Sequence, residues 1–205
     1  MTLAEKVNFH ILREGALVFV ISGPSGVGKD SAVKALKKRP TKFHFVITAN
    51  TRAPRADEVE GVDYFFVSKA HFEEMIKNNE LVEWAHVYGD YKGVPKSQIE
   101  GALASGKDVL MRLDVQGAKK IKSLYPSAIL IFLLPSSEEE WRRRLEERAR
   151  EQGTDVDMDI RIEKMKEELA TLGIFDYAVI NADGQLNQTV ETILAIITAE
   201  HHKLV

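Results

Sequence analysis

The run GPSGVGK at residues 23–29 has the composition and spacing of a loop that binds phosphate. In the pattern G-x-x-x-x-G-K, the glycines let main-chain N–H groups point at phosphate oxygens, and the lysine reaches the terminal phosphates. An apolar β-branched run at 17–21 precedes the loop, and helical spacing of apolar residues follows it from Ser31 to Pro40. This order favours a P-loop over a glycine-rich turn without a ligand. The expected contacts to nucleotide phosphates are Gly23, Pro24, Ser25, Gly26, Val27, Gly28, Lys29, Asp30 and Ser31.

The residue after the lysine departs from the usual P-loop motif. It is normally Ser or Thr, whose hydroxyl binds Mg²⁺, and here it is Asp30. A carboxylate is a hard oxygen ligand for Mg²⁺ and can bind it directly or through water. The alternative is that Asp30 only stabilises the first turn of the helix electrostatically. We favour the metal contact, because Ser31 lies about 100° further round the helix and is poorly placed to replace it.

Two arginines and an acid further along the chain are also suited to nucleotide chemistry. The run TRAPR at 51–55 places Arg52 and Arg55 on either side of a proline. Guanidinium groups bind phosphate through paired hydrogen bonds, although two such arginines are equally compatible with a solvated surface. Glu83 lies between apolar neighbours, so its carboxylate either faces solvent or lines a pocket.

Strands alternate with helices along most of the chain, which predicts an α/β fold with a parallel sheet covered by helices. Loops at the carboxyl ends of parallel strands meet at one edge, so the P-loop, the 48–55 loop, Asp114 and the region of Pro135 should face one cleft. The stretch from about 50 to 95 has more strands and turns and predicts a small mixed subdomain. Predicted strands cover 17–21, 43–48, 63–67, 81–88, 108–114, 127–134 and 177–180. Predicted helices cover 31–38, 68–78, 95–105, 115–124, 155–172 and 186–201, and a further charged helix starts at Ser136 or Ser137 and is broken at 152–154.

Composition narrows the class of protein. The 205 residues suit a single domain, and the net charge of −3 provides no basic field of the kind that nucleic-acid binders use. The absence of cysteine excludes disulfides and thiolate metal sites. No apolar run approaches the roughly 20 residues of a membrane span. The polar start lacks signal-peptide or transit-peptide character, so we expect a cytoplasmic protein; the alternative is a plastid or mitochondrial matrix after removal of a transit peptide. We also expect a monomer.

The order of the motifs resembles the guanylate kinase family, which phosphorylates GMP with ATP. The motifs are S/T-x-x-T-R-x-P-R-x-x-E-x-x-G-x-x-Y-x-F, an acid before Trp, G-x-Y-x-G and D-x-Q-G, and they extend the match from Gly23 to about Asn181. The Gly-Lys-Asp of the P-loop and the run YGDYKGVPK at 88–96 are most similar to the organellar type of plants. The resemblance implies one P-loop NTPase-type domain over 1–205, with a core at 16–47, 98–140 and 162–205, a GMP-binding insertion at 48–97 and a helical lid at 141–161.

The resemblance also assigns roles to single residues. Arg52, Arg55 and Tyr64 correspond to residues that hold the GMP phosphate, and Glu83 and Asp114 to acids that bind the guanine edge. This agrees with the chemistry, because guanine offers N–H donors at N1 and N2, whereas adenine would leave a buried carboxylate unsatisfied. The remaining expected GMP contacts are Thr48, Glu58, Tyr91 and Lys92, and Asn181 corresponds loosely to a residue near the adenine of ATP.

The resemblance implies that three arginines of the lid act with Lys29 in catalysis. Arg144 and Arg148 are four residues apart on one helix face, and Arg161 follows a break that contains glycine. An arginine-bearing segment that closes can surround the transferred phosphoryl group with positive charge and exclude water. The alternative is a helix face laced with salt bridges, since glutamates are interleaved with these arginines.

Three residues depart from the commoner pattern of the family. Lys92 replaces a tyrosine that would touch the GMP phosphate, and Val94 replaces a serine that would contact the base. Arg112 replaces an aspartate two residues before Asp114. We hypothesise that the losses and gains compensate, so that Mg²⁺ is held from Asp30 on the loop instead of from the strand.

These observations predict an enzyme that converts ATP and GMP into ADP and GDP with Mg²⁺, and that binds neither nucleic acid nor membrane; use of dGMP stays open. One alternative is another nucleoside-monophosphate kinase, against which Glu83, Asp114 and the TRAPR run argue. A second is a non-catalytic guanylate-kinase-like binding module, against which the intact P-loop argues. A regulatory GTPase would need an N-K-x-D motif, and the sequence has none.

Overall fold

A computed structural model describes residues 12–13, 15–40, 42–54, 58–87, 89–152 and 157–204. The strands are β1 (Val18–Ser22), β2 (His44–Phe45), β3 (Thr48–Asn50), β4 (Tyr64–Phe66), β5 (Leu81–Val87), β6 (Asp90–Pro95), β7 (Val109–Arg112), β8 (Ile129–Leu134) and β9 (Tyr177–Ile180). The α-helices are α1 (Lys29–Lys37), α2 (Lys69–Lys77), α3 (Lys96–Ala104), α4 (Val115–Leu124), α5 (Glu138–Gln152), α6 (Met158–Leu169) and α7 (Leu186–His201), with a 3₁₀ turn at Leu172–Ile174.

The larger sheet is parallel and places β1 at its centre. Its strand order is β2-β7-β1-β8-β9, and every pairing within it is parallel, which confirms the predicted α/β fold. All residues of β1 are buried, as a strand covered on both faces requires. The carboxyl ends of β1, β7 and β9 lead into the P-loop, Asp114 and Asn181, so the sheet gathers these segments at one edge.

Side chains alternate between the two faces of the sheet and build a core on each. Phe19 of β1 packs on the face that α1 and α7 cover, together with Leu36 and Ile193. Val20 points to the other face, where α3 and α4 contribute residues such as Ile99. Burial of each large aliphatic side chain stabilises the fold by about 1.5–3 kcal/mol, so the two cores hold the strand ends in fixed positions. Among the described helices, none combines the length and hydropathy required to cross a bilayer.

The insertion forms a separate four-stranded sheet in the order β4-β3-β6-β5. Strands β3 and β4 are parallel, whereas β6 runs antiparallel to both β3 and β5. A small core of Ala49, Phe72, Met75 and Leu81 lies between this sheet and α2. This second, mixed sheet lies in the part of the chain for which the sequence predicts a mixed subdomain, and its first strand begins at Thr48.

The prediction of one continuous strand at 43–48 was wrong. Strand β2 covers only His44 and Phe45, and the chain then leaves the core sheet after a last bond from Val46 N to Leu110 O, at 3.0 Å. Thr48 already pairs with Tyr64 in the second sheet. Strand β6 was not predicted, because its glycine and proline disfavour a strand assignment. Helix α6 is shorter than predicted and ends at Leu169, before the 3₁₀ turn.

Candidate active site

The P-loop presents main-chain donors at the start of α1. Gly26 and Gly28 have φ values of 85° and 92°, a left-handed conformation that glycine adopts without strain. Val27 N donates to Pro24 O at 3.3 Å within the loop. In the described part of the chain, the N–H groups of Gly26, Gly28 and Lys29 have no protein acceptor. Unpaired N–H groups at a helix N-terminus are the arrangement that binds phosphate.

The side chain of Lys29 turns back toward the P-loop and is hydrogen-bonded to it. Its Nζ donates to the main-chain oxygens of Gly23, at 2.5 Å, and Pro24, at 3.0 Å. Burial lowers the pKa of Lys29, while the carboxylates of Glu168 and Asp30 oppose that change. The ammonium group is thus held at the loop by neutral carbonyl acceptors, which an anionic phosphate oxygen can replace.

A network of side chains braces the back of the P-loop. Trp141 Nε1 of α5 donates to Ser25 O at 2.9 Å. Asn181 Nδ2, after β9, donates to Val27 O at 2.8 Å. Asn181 Oδ1 in turn accepts a bond from Thr189 Oγ1 at 2.9 Å. Asn181 is buried and its amide is committed to these partners, so the structure brings it to the P-loop, and its contact with adenine stays a prediction.

The arginines of the predicted lid occupy three different settings. Arg144 lines the cavity over the P-loop and forms ion pairs with Glu140 and Asp183, each at 2.6 Å. Arg161 Nη1 donates to Ser25 Oγ at 3.0 Å, on the loop itself. Arg148 is exposed and lines the cleft. All three surround the P-loop, and their catalytic roles stay predictions.

Two cavities adjoin each other along the cleft. The cavity over the P-loop has a volume of about 560 Å³, and the cavity over the insertion about 610 Å³. We call them the donor cavity and the acceptor cavity. The residues that line both are Lys29, Asp30, Asp114 and Arg148. Two ligands bound in these cavities would therefore meet beside the P-loop lysine.

The donor cavity also contains two residues of α6 that the sequence analysis missed, Lys164 and Glu168. Burial raises the pKa of Glu168, and the positive charge of Lys29 opposes that change. An acid near a helix C-terminus gives no sequence signal of its own. Only the packing of α6 beside the P-loop brings Glu168 into the site.

Two acids, Glu83 and Asp114, line the acceptor cavity close enough to interact electrostatically. Burial and repulsion by Asp114 raise the pKa of Glu83 to about 7, and Lys92 opposes this rise. Asp114 is the N-cap of α4 and accepts a bond from Gly117 N at 2.8 Å. A β-carbon on Gly117 would lie 3.2 Å from Glu83 Oε2, so the absence of a side chain there lets the Glu83 carboxylate approach. Gly117 is the glycine of the D-x-Q-G motif, but the motif by itself does not indicate this contact with Glu83.

The ion pair of Arg52 with Glu58 forms an arginine clamp beside the acceptor cavity, which Arg52 lines. Arg52 binds Glu58 through a two-pronged ion pair, with Nη2 to Oε1 at 2.5 Å and Nη1 to Oε2 at 2.7 Å. The bond to Glu58 raises the pKa of Arg52. The guanidinium lies 5.2 Å from the centre of the Tyr64 ring. This arrangement fixes the Arg52 fork in place; Arg55, its predicted partner, lies outside the described residues.

The other predicted acceptor residues line the same cavity. Thr48, Tyr91 and Lys92 all contribute to its wall. Lys92 Nζ lies 5.7 Å from the centre of the Tyr64 ring, and its contact with phosphate stays a prediction. The Tyr91 hydroxyl donates to Glu73 at 3.4 Å. Asn50, which the sequence analysis missed, is buried in this wall and accepts a bond from Arg52 N at 3.1 Å.

The two unusual charges, Asp30 and Arg112, form a direct ion pair. Arg112 Nη1 donates to Asp30 Oδ1, and Arg112 Nη2 donates to the Tyr64 hydroxyl at 3.2 Å. The hypothesis of compensating changes placed these charges near each other but did not predict their contact.

Comparison with known proteins agrees with this geometry. The family model described as guanylate kinase matches residues 16–200. Guanylate kinase 2, chloroplastic/mitochondrial, of Oryza sativa is 44% identical over 92% of this chain, which spans 66% of the rice protein. The guanylate kinase of Halalkalibacterium halodurans is 42% identical over 93% of this chain and 92% of its own. The crystal structure of guanylate kinase from Anaplasma phagocytophilum superposes with a TM-score of 0.71 at 28% identity, covering 94% of this chain and 89% of that one. The P-loop, the two adjoining cavities and these matches together show that the chain belongs to the guanylate kinase family.

Proposed function

We propose that this protein transfers the terminal phosphoryl group of ATP to GMP and yields ADP and GDP. The main support is the pair of cavities that share Lys29. The P-loop lines one cavity, and Glu83 and Asp114, whose carboxylates can accept hydrogen bonds from guanine, line the other. Guanylate kinases are ATP:GMP phosphotransferases, and the relatives carry that name along nearly the whole of this chain. The alternatives of a non-catalytic module or of another nucleoside-monophosphate kinase gain no support from the relatives.

Selection of the base rests on Glu83 and Asp114. An ionised Glu83 accepts hydrogen bonds from the N1–H and N2–H groups of guanine. Adenine offers an acceptor at N1, so its binding would leave the half-buried carboxylate without a donor, which is costly. The hydroxyl of Thr48 contributes a further contact to the base, and the side chain of Tyr91, in the wall of the cavity, packs against the nucleotide.

The phosphate of GMP is held by the arginine clamp of the acceptor cavity. Arg52, already oriented by Glu58, directs its remaining N–H donors at the phosphate, with Arg55, Tyr64 and Lys92 as further contacts. Guanidinium groups bind phosphate in a fixed geometry, whereas Lys92 acts as a point charge whose effect salt screens more readily. GMP thereby lies with its phosphate directed toward the P-loop.

Transfer then needs positioning and positive charge. The attacking oxygen of GMP is already anionic, so no general base is required. Lys29 moves its hydrogen bonds from the loop carbonyls to the phosphates of ATP. Arg144, Arg148 and Arg161 surround the phosphoryl group from the segment 141–161, whose closure excludes water.

Mg²⁺ fits the donor set beside the P-loop. ATP-dependent kinases generally require a divalent cation, which when bound neutralises the phosphate charges. Asp30 uses Oδ1 for Arg112, while Oδ2 has no protein donor within the described residues. The described part of the chain has no cluster of three acidic or histidine side chains, and Mg²⁺ beside a P-loop needs few protein ligands because phosphates and waters supply the rest.

We propose that Asp30 holds this ion, directly or through water. Asp30→Ala should weaken the Mg²⁺ dependence of both turnover and ATP affinity measured by calorimetry, whereas Asp30→Ser should retain it. Unchanged dependence in Asp30→Ala refutes the assignment.

We also propose that the protein acts as a monomer with ATP and GMP as its partners. Its compartment is proposed as the cytoplasm, with a plastid or mitochondrial matrix as the alternative that the rice relative supports. Light scattering on the purified protein tests the first proposal, and microscopy of the tagged chain in its host cell tests the second.

A coupled assay of ADP release over a panel of monophosphates tests the activity. GMP should be the best acceptor by at least about 100-fold over AMP, because AMP leaves the Glu83 carboxylate unpaired. Equal use of AMP and GMP, or no turnover with any acceptor, contradicts the proposed function.

A further inference from the structure

We infer that Arg112 is a positioning residue that couples the acceptor phosphate site to the P-loop, by holding the Asp30 carboxylate and the Tyr64 hydroxyl at the same time. The inference rests on the proposed function, because it assigns the acceptor cavity to GMP. It differs from the metal assignment of Asp30, since it concerns the other carboxylate oxygen and the other cavity.

The two terminal nitrogens of Arg112 reach into two different parts of the protein. Nη1 donates to Asp30 Oδ1 in the first turn of α1, and Nη2 donates to the Tyr64 hydroxyl, in β4 of the insertion, at 3.2 Å. A planar guanidinium fixes the directions of its two bonds relative to each other. Lysine has no such fork, so a single ammonium group cannot reproduce both contacts.

The position of Arg112 in the sheet explains why it can reach both. It is the last residue of β7 and pairs with Ile21 of β1, one residue before β1 ends and the P-loop begins. Its side chain is 29% exposed, and it lines the acceptor cavity together with Asp30 and Tyr64. Asp30 also lines the donor cavity. The pair therefore stands at the boundary between the two cavities.

The charge of Asp30 gives Arg112 its first task. A carboxylate at this boundary repels the phosphates of both nucleotides, whereas the serine or threonine usual at this position would not. Arg112 neutralises that charge on the side facing the acceptor cavity. The Asp30 side chain is 62% exposed, and exposed pairs contribute little to stability, so the pair is better explained by its effect on ligands.

The Tyr64 hydroxyl gives Arg112 its second task. A hydroxyl has one donor and two acceptor positions. Because Arg112 donates to the hydroxyl oxygen, the proton of Tyr64 remains available to point at an acceptor such as a phosphate oxygen. Arg112 thus orients Tyr64 as a donor and ties the insertion to the P-loop helix.

The test is a double-mutant cycle on GMP binding. Calorimetry measures the dissociation constant of GMP in Arg112→Ala, Asp30→Ser and the double variant, without ATP or Mg²⁺, and thermal melts verify folding. Arg112→Ala should weaken GMP binding about 10-fold or more when Asp30 is present, and about threefold or less in the Asp30→Ser background, because no charge then needs neutralising. Equal losses in the two backgrounds overturn the inference.

A second cycle and a conservative variant separate positioning from a merely structural role. After Tyr64→Phe, Arg112→Ala should cost less additional GMP affinity than it does in the unaltered protein, because the hydroxyl it orients is gone. Arg112→Lys should recover part of the loss, since it restores the charge without the fork. Full recovery by lysine, or additive losses with Tyr64→Phe, overturns the link to Tyr64. If the unaltered protein does not bind GMP at all, the proposed function is refuted. If it binds GMP normally but Arg112 shows no energetic coupling to Asp30 or Tyr64, only this inference is refuted.

Discussion

The carboxylate of Glu83 lies against Gly117 at the start of α4, where a β-carbon would come within 3.2 Å of Glu83 Oε2. The same glycine donates its N–H to Asp114 Oδ1 at 2.8 Å. One residue without a side chain therefore holds the two acids of the acceptor cavity close together. Their proximity contributes to the raised pKa of Glu83.

Gly117→Ala should raise the KM for GMP about 10-fold, because the added methyl group displaces the Glu83 carboxylate from the base edge. Alanine favours a helix over glycine by about 0.5–1 kcal/mol, but the new β-carbon would also lie 3.1 Å from Leu113 Cβ, so thermal melts verify that the variant stays folded. Steady-state kinetics with varied GMP measures the change in KM. Gly101→Ala in α3 is the matched control, since a β-carbon there meets nothing within 4 Å; similar KM values for both variants would contradict the prediction.

The activity should depend on pH through Glu83. Its pKa of about 7 means that the free enzyme loses the carboxylate as pH falls below that value. Since kcat/KM follows the ionisation of the free enzyme, kcat/KM for GMP should decrease toward acid by up to about 10-fold per pH unit. The GMP phosphate also titrates in this range, so the ratio of the unaltered protein to Glu83→Gln is the informative quantity. A ratio that does not change with pH would show that Glu83 does not bind the base as an anion.

The same acid should reduce stability at alkaline pH. The pKa of Glu83 is higher in the folded state than its ordinary value of 4.5. Its contribution to stability is thus complete below pH 4.5 and is lost as pH rises through about 7. Glu83→Gln should raise the free energy of unfolding by about 1–2 kcal/mol at alkaline pH, allowing for partial solvent screening, and much less at acid pH. Urea titrations at both extremes measure the difference, and an equal effect at each would refute it.

Asn181→Ala should destabilise the P-loop, because Asn181 donates a hydrogen bond to Val27 O of the loop. The variant removes the shorter of the two bonds that Val27 O accepts, leaving the 3.4 Å bond from Arg144, and removes the Asn181 acceptor of the Thr189 hydroxyl. It should lower the free energy of unfolding by about 1–3 kcal/mol. It should also raise the KM for ATP more than the KM for GMP, because Val27 lies in the loop. Thr192→Val, which removes an exposed hydroxyl from the same helix α7, is the control and should change neither. An equal rise in both KM values would argue for a general loss of structure.

Arg148→Ala should lower kcat by about 100-fold or more, since the arginine lines both cavities and its charge is needed in the transition state. The KM values should change much less. Arg150→Ala removes an exposed arginine from the same helix and serves as the control. If Arg148→Ala affects only KM, the residue binds substrate without acting in transfer.

The predictions drawn from short-range patterns agree best with the structure. The β-branched run before Gly23 is β1, and the alternation of strands and helices is the parallel sheet. The predicted site residues within the described chain, from Lys29 to Asp114, line or border one cleft. The prediction of one strand at 43–48 was wrong because this segment passes from the core sheet into the second sheet. Local periodicity does not indicate where a chain changes sheets.

The sequence by itself determined the P-loop, the order of elements and the kinds of acid and arginine available, since each depends on residues close together in the chain. Tertiary structure decided the contacts between distant residues. Arg112 and Asp30 meet because the register of β7 against β1 brings an arginine beside the start of α1. Glu168 enters the donor cavity through the packing of α6, and Gly117 meets Glu83 through the approach of the insertion to α4. Such contacts depend on how whole elements pack, which no local pattern encodes.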